Sequence, residues 1–181
     1  YKGKYLLTLT NRWDGASQLV QKWASFPSVA AAWRISDEGF MSPTKDWLSN
    51  MKLRAGYGVA GTAKVNAYQT DTEVTSRNLN MTLGGSNILP IYVLKAALGN
   101  KDITWERAYN TNIGLDMSFF KDRLEVVMDY YRTKTEGILY VRRMPTTAGG
   151  VDAKNPYTKL SNIADSKNSG FELAINSRNV I

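Results

Sequence analysis

From Ile103 to Thr135 the chain reads ITWERAYNTNIGLDMSFFKDRLEVVMDYYRTKT, and this stretch limits what the remainder can fold into. Ile113, Leu115, Met117 and Phe119 alternate with Asn112, Gly114, Asp116 and Ser118. After a short Lys121-Asp122 connection, Leu124, Val126, Met128 and Tyr130 alternate with Arg123, Glu125, Val127 and Asp129. A period of two is the mark of a strand with unlike faces. Strands in water-soluble domains usually end after about 5–6 residues. A strand that crosses a bilayer needs about 9–11, with apolar side chains toward lipid and polar ones toward a lumen. Length and division of faces together predict a long, membrane-spanning β-hairpin.

The same pattern recurs along the chain. In Lys4–Arg12, Tyr5, Leu7 and Leu9 share a face. Phe26–Ile35 places Val29, Ala31, Trp33 and Ile35 opposite Ser28, Ala30, Ala32 and Arg34, with Pro27 near the strand start, where its missing N–H is tolerated. Met51–Gly61 sets Met51, Leu53, Ala55, Tyr57 and Val59 against Lys52, Arg54, Gly56 and Gly58. Ser169–Ser177 sets Phe171, Leu173 and Ile175 against Glu172, Ala174 and Asn176. The second strand of the hairpin is expected to run on through Gly137–Arg142.

Between these strands the connections differ in kind. Residues 13–25, 62–102 and 143–166 read as long loops, rich in turn signals such as Asp14-Gly15, Gly84-Gly85, Gly149-Gly150 and Asn155-Pro156. Within the second, Asn66–Val74 and Asn78–Leu83 are expected to pair as a small hairpin. Residues 36–49 and 120–122 read as compact turns, the former with Ser36 capping a short helix and Asp37 and Glu38 at its positive end. The expectation is all-β: an antiparallel meander of about six strands, an arc of a large transmembrane barrel with long extracellular loops and short periplasmic turns. The whole chain, 1–181, reads as one partial barrel domain.

Composition narrows the chemistry. The chain has no Cys and no His among its 181 residues, which removes thiol nucleophiles, imidazole bases and the common zinc-ligand sets. Its net charge of +7 comes from 23 scattered Lys and Arg against 16 acids, without a basic block, so nucleic acid is not an expected partner. Mean hydropathy is −0.34, too polar for a helical membrane protein and compatible with a barrel. No signal segment is read at Tyr1, and no apolar run is long enough for a spanning helix. Gly56-Tyr57-Gly58 with Gly61 lacks the helix and the Lys-Ser/Thr pair of a phosphate loop. No carboxylate pair, metal cluster or nucleophile–base set stands out, so no catalytic residue, metal or cofactor is expected and the chain does not read as an enzyme.

Two groups of residues are candidate binding elements. Arg34, Lys52, Arg54, Asp116, Glu125, Asp129 and Glu172 fall on the polar faces of strands, where they would line a lumen or meet a plug, with Arg123 beside them. Trp33, Tyr57, Phe119, Phe120, Tyr130 and Tyr131 lie near strand ends, as an interfacial girdle requires. Tyr68, Tyr92, Trp105 and Tyr157, in or beside the long loops, are the candidates for contact with a substrate or a lid.

KYLLTLTNRWDGAS, FPSVAAAWRIS, WLSNMKLRAGYGVAG, the long hairpin through GIL, and NSGFELAI occur in this order. Together they resemble the SusC/RagA family of TonB-dependent outer-membrane transporters of Bacteroidetes. The likeness is weakest over 62–102 and 143–165. It implies a plugged barrel of roughly 22 strands, of which this chain is an internal run. It also implies localisation in the outer membrane, import of an oligosaccharide or peptide, a SusD-like surface lipoprotein acting as a lid, and energy from the TonB complex through a plug and TonB box outside this chain. The competing reading is a soluble β-sandwich module that binds carbohydrate. The two differ over Leu115, Met117, Leu124, Val126, Leu173 and Ile175. A barrel turns these side chains to lipid; a sandwich buries them in a closed core.

Overall fold

The computed structural model describes residues 1–80, 88–152 and 155–178. Alternating side chains make β1 (Tyr5–Gly15) and β2 (Trp23–Arg34), joined by residues 16–22. Two 3-10 turns, Ile35–Asp37 and Gly39–Thr44, lead to β3 (Leu48–Thr62). A small hairpin of β4 (Val74–Asn80) and β5 (Ile88–Leu94) follows, then the two-residue β6 (Ala97–Leu98). The long hairpin is β7 (Glu106–Phe119) and β8 (Leu124–Arg143). Short strands β9 (Gly150–Asp152) and β10 (Asn155–Pro156) precede β11 (Thr158–Ser177). The main sheet has seven strands in the order β1-β2-β3-β7-β8-β11-β6, and among the described residues it does not close on itself. Its six long strands run antiparallel, each beside the next long strand in the chain; β6 pairs with β11 in parallel.

Register carries each strand's two faces across the whole sheet. On one face Leu7, Ala31, Ala55, Ile113, Tyr130 and Phe171 form a row. The adjacent row is Tyr5, Trp33, Leu53, Leu115, Met128 and Leu173. On the other face Leu6, Ala32, Arg54, Gly114, Asp129 and Glu172 line up. Among the described residues no second sheet covers the apolar side: Leu173 and Ile175 are exposed, and Leu115, Met117, Leu124 and Val126 are half-buried and belong to no closed core. A soluble sandwich would bury those residues, so the sandwich reading fails here. An apolar face open along its full length suits a solvent of lipid tails.

The compact core lies elsewhere, at the long-loop end of the sheet. Ala16, Leu19, Ala24, Phe26, Val65, Ile103, Trp105 and Leu160 pack together, with Val59, Ala63 and Leu139 against them. Trp105 meets Phe26 edge-on with centroids 5.4 Å apart. Gly61 lies against the same Phe26 ring, in space a Cβ would need. Side chains bind the loop backbones to this core. Asn100 Nδ2 donates to Leu160 O at 2.7 Å, and Asn162 joins Thr104 to Gly137 O through bonds of 2.9, 3.0 and 2.6 Å.

Several expected boundaries move. The loop expected over 13–25 contracts to 16–22, because Trp13, Asp14 and Gly15 pair with Ser25, Ala24 and Trp23. The loop expected over 143–166 ends at Tyr157, because β11 already pairs with β8 from Thr158 onward. Register shifts at Asn162/Ala164 and Ala164/Ser166 break the alternation there, which hides the strand from a period-two search. Within 62–102 the hairpin pairs Val74–Asn80 with Ile88–Leu94, so Asn78–Asn80 do not pair with Asn66–Val74 as expected; the rest of that expected strand, 81–83, lies outside the described residues. Residues 66–71 instead form successive turns, with Gln69 N donating to Asn66 O and Asp71 N to Tyr68 O. The Gly84-Gly85 turn signal lies outside the described residues. Ser36 is no cap: it is buried within the first 3-10 turn and its Oγ bonds Asn50 Oδ1 at 3.3 Å. At the other short turn, Phe120, Lys121 and Asp122 all have positive φ. Ser49 Oγ accepts from Lys121 N at 2.8 Å and Asp122 N at 3.3 Å, which helps hold this sterically costly conformation.

Candidate functional site

Three strands bring one ion cluster together on the polar face. Arg54 of β3 donates Nε to Asp116 Oδ2 at 2.8 Å and Nη2 to Asp116 Oδ1 at 2.7 Å, a two-point fork. Nη2 also reaches both oxygens of Asp129 on β8 at 3.2 Å. Planar guanidinium geometry allows this, and a lysine could not reproduce it. The strand between them supplies Gly114, which faces Arg54 on one side and Asp129 on the other. A Cβ there would sit 2.6 Å from Arg54 Nη2 and closer still to Asp129 Oδ1. The missing side chain is therefore the space in which the ion cluster forms. Sequence reading places the charges but passes over Gly114; its signal was a glycine between Asn112 and Asp116 in the polar phase of the alternation.

The other polar-face candidates occupy the surrounding rows. Arg34, Lys52 and Asp116 form one row, and Ser118 and Glu125 pair in the row nearer the short turns. Glu172 stands across from Asp129. Arg34 turns to Asp37 of the first 3-10 turn at 3.3 Å and stays outside the cluster. Tyr131 also belongs to this face, which corrects its assignment to the girdle. It lies over Gly170, where a Cβ would meet its hydroxyl at 2.6 Å. The wall therefore pairs charged groups with small residues, Gly56, Gly58, Gly114 and Gly170, that leave the backbone close to the surface.

Aromatic rings mark the short-turn end of the apolar face. Tyr5 stacks on Trp33 at 6.3 Å and Trp47 on Phe119 at 5.9 Å, with Phe120 beside them. Glu38, in the connection after β2, ties this belt down. It accepts from Tyr5 Oη at 2.7 Å, Trp33 Nε1 at 3.2 Å and Lys4 Nζ at 3.2 Å. The Tyr5 hydroxyl first, then the Trp33 indole and Lys4, hold its carboxyl below the usual carboxylate range. Toward the other end, Tyr130, Tyr57 and Tyr109 lie along the same outward face as the apolar rows give way to polar ones.

The loop candidates separate by exposure. Tyr68 is 73% exposed and Tyr92 is 78% exposed, so both rings are open at the surface. Tyr157 is half-buried, its ring beside Gly149 and its carbonyl accepting from Met144 N at 2.7 Å. Trp105 is buried in the loop core, and its Nε1 donates to Gln21 O at 3.2 Å. Its place is in the framework that holds the loops together.

Comparison with known proteins agrees with this geometry. The family model described as TonB dependent receptor-like, beta-barrel matches residues 1–178. TonB-dependent receptor P3 of Formosa agariphila is 33% identical over 99% of this chain and 17% of its own length. TonB-dependent receptor SusC of Bacteroides thetaiotaomicron is 30% identical over 98% of this chain and 17% of its own length. The chain thus spans about one sixth of the curated relatives it matches. Among solved structures, the RagAB peptide importer in its closed-closed state superposes with a TM-score of 0.76 at 24% identity, over 96% of this chain and 18% of that one. The siderophore receptor PirA of Pseudomonas aeruginosa superposes with a TM-score of 0.57 at 19% identity, over 94% of this chain and 28% of that one.

Proposed function

This chain belongs to the TonB-dependent receptor β-barrel family of the outer membrane, and we propose that it forms part of the wall of a SusC-like nutrient importer. In this reading the apolar face meets lipid and the polar face lines the lumen. One observation supports it above the others: register keeps every long strand in the same phase, so an uncovered apolar face backs a polar wall centred on Arg54, Asp116 and Asp129.

The wall's chemistry suits passage more than reaction. Its central charges, Arg54, Asp116 and Asp129, are engaged with one another, and its glycines keep the surface low. Such a surface offers a plug or a polar cargo hydrogen bonds without a deep trap. The cargo class is an oligosaccharide or a peptide. A peptide is the cargo named for RagAB, whose fold this chain shares, and SusC is among the chain's relatives at 30% identity. Tyr68 and Tyr92 at the long-loop end are the rings best placed to meet a SusD-like lid or cargo, with Tyr157 in support. Energy comes from the TonB complex, acting through a plug that is not among these residues.

The test is accumulation of labelled oligosaccharide and peptide pools by cells that carry or lack the gene, with TonB active or inactivated. Uptake of one pool should require both the gene and TonB. Equal uptake in all strains would overturn the reading. Replacing Tyr68 and Tyr92 with Ala should weaken recovery of the lid lipoprotein with the barrel while leaving barrel assembly intact.

A further inference from the structure

Above the ion cluster, toward the long loops, the polar wall loses its charge. Gly56, Asn112, Tyr131 and Gly170 form one row on β3, β7, β8 and β11. Gly58, Asn110, Thr133 and Asn168 form the next, roughly 7 Å further along the strands. On β1 and β2 the two rows continue with Thr, Ala and Ser. Neither row holds a charged residue, while at the same height Arg132, Lys134 and Lys167 all belong to the outward face. Two of the amides are free: Asn112 and Asn168 are exposed and have no side-chain hydrogen bond to another described residue. Asn110 is engaged, its Oδ1 accepting from Thr133 Oγ1 at 2.9 Å. Tyr131 leans over the neighbouring strand, with Oη, Cζ and Cε1 2.6–2.7 Å from where a Cβ on Gly170 would stand. Its ring is half-buried, so part of it stays open on the polar side. On the far flank of Asn112, a Cβ on Gly56 would meet only Val29 O, at 3.9 Å, so the wall there is low and open.

We propose that Tyr131, with Asn112 and Asn168 beside it, is a stacking station for the uncharged sugar rings of a cargo in transit. This deepens the importer reading and rests on the polar face lining the lumen. A sugar ring has an apolar C–H face and a rim of hydroxyls. Tyr131 supplies a flat apolar surface for the face. Asn112 and Asn168 each carry both a donor and an acceptor, which is what hydroxyls require. A charged group shedding water against these two rows would find no counter-charge, and that desolvation is costly. Arg54, one row below, is already engaged by Asp116 and Asp129. Ionised peptides and acidic sugars are therefore disfavoured at this height, and a neutral oligosaccharide is the class that fits.

Uptake by cells carrying the intact transporter and its lid provides the test. The probes are labelled pools of neutral oligosaccharides of mixed linkage, the same pools oxidised to uronates, and peptides of matched mass. With TonB active, the neutral pool should enter about tenfold faster than either charged pool. Tyr131→Leu still covers Gly170 but has no flat ring, and it should remove most of that advantage; Tyr131→Phe should keep it. Asn112→Ala with Asn168→Ala should lower neutral uptake and leave both charged pools unchanged. Heat-modifiable migration confirms that each variant is a folded barrel. TonB-dependent uptake of peptide at the neutral pool's rate would overturn the station and leave the importer reading standing. Undiminished neutral uptake in Tyr131→Leu, or an equal fall for all three pools, would also overturn it. No TonB-dependent uptake of any pool would reject the importer reading, and the station with it.

Discussion

Gly114 decides more than any charged residue around it. An arginine and two aspartates on neighbouring strands can be arranged in many ways. The two-point fork of Arg54 on Asp116, with Asp129 on the remaining edge, forms because the strand between carries no Cβ. Gly114→Ala therefore acts by pushing the ions apart. On its own it should cost about 1–2 kcal/mol, a value kept low because these side chains are partly wetted. In an Arg54→Ala background the same change should cost much less, since the space is then empty. Thermal unfolding of the four barrels in a double-mutant cycle measures this coupling. Additive costs would show that Gly114 serves the backbone and not the cluster.

Each long strand presents two surfaces with different solvents, so the same substitution should cost far more on one face than on the other. Leu115 is in the middle of the apolar rows, between Leu53 and Met128. Leu115→Arg should cost about 2–4 kcal/mol if that row is at the membrane midplane. Asn112, between Gly56 and Tyr131 on the polar face, should accept Arg at well under 1 kcal/mol. Urea unfolding of the barrel from lipid vesicles checks both, and the order should hold at every urea concentration. Reading these elements from sequence succeeded where alternation was unbroken, as in β3, β7 and the first part of β8. It failed near Asn162 and Ala164, where bulges shift the phase, and at Trp13–Gly15, where a turn-like Asp-Gly sequence continues a strand.

For the whole molecule, stability has two separate sources. The sheet is held by its ladders and its solvent, while the long loops are held by a small core drawn from residues 16 to 160. Trp105 is the largest side chain in that core and the link to the Gln21 carbonyl. Trp105→Ala should cost about 3–5 kcal/mol locally. The expected outcome is loops that an external protease cuts on intact cells, above a barrel whose heat-modifiable migration is unchanged. Loss of the barrel itself would mean that the loop core and the sheet fold as one unit.

Sequence alone determined the strand class, the two faces and the seven polar-face candidates, because a period-two pattern is local and each residue's side follows from its neighbours. It also carried the family resemblance, through phrases on the strands themselves. Tertiary structure decided what depends on pairing between distant segments. Arg54 meets Asp116 and Asp129 only once β3, β7 and β8 are in register. Trp105 is buried only because residues 16–26, 65 and 160 converge on it, while Tyr68 and Tyr92 remain exposed. Those contacts span tens of residues, and no local pattern encodes where they meet.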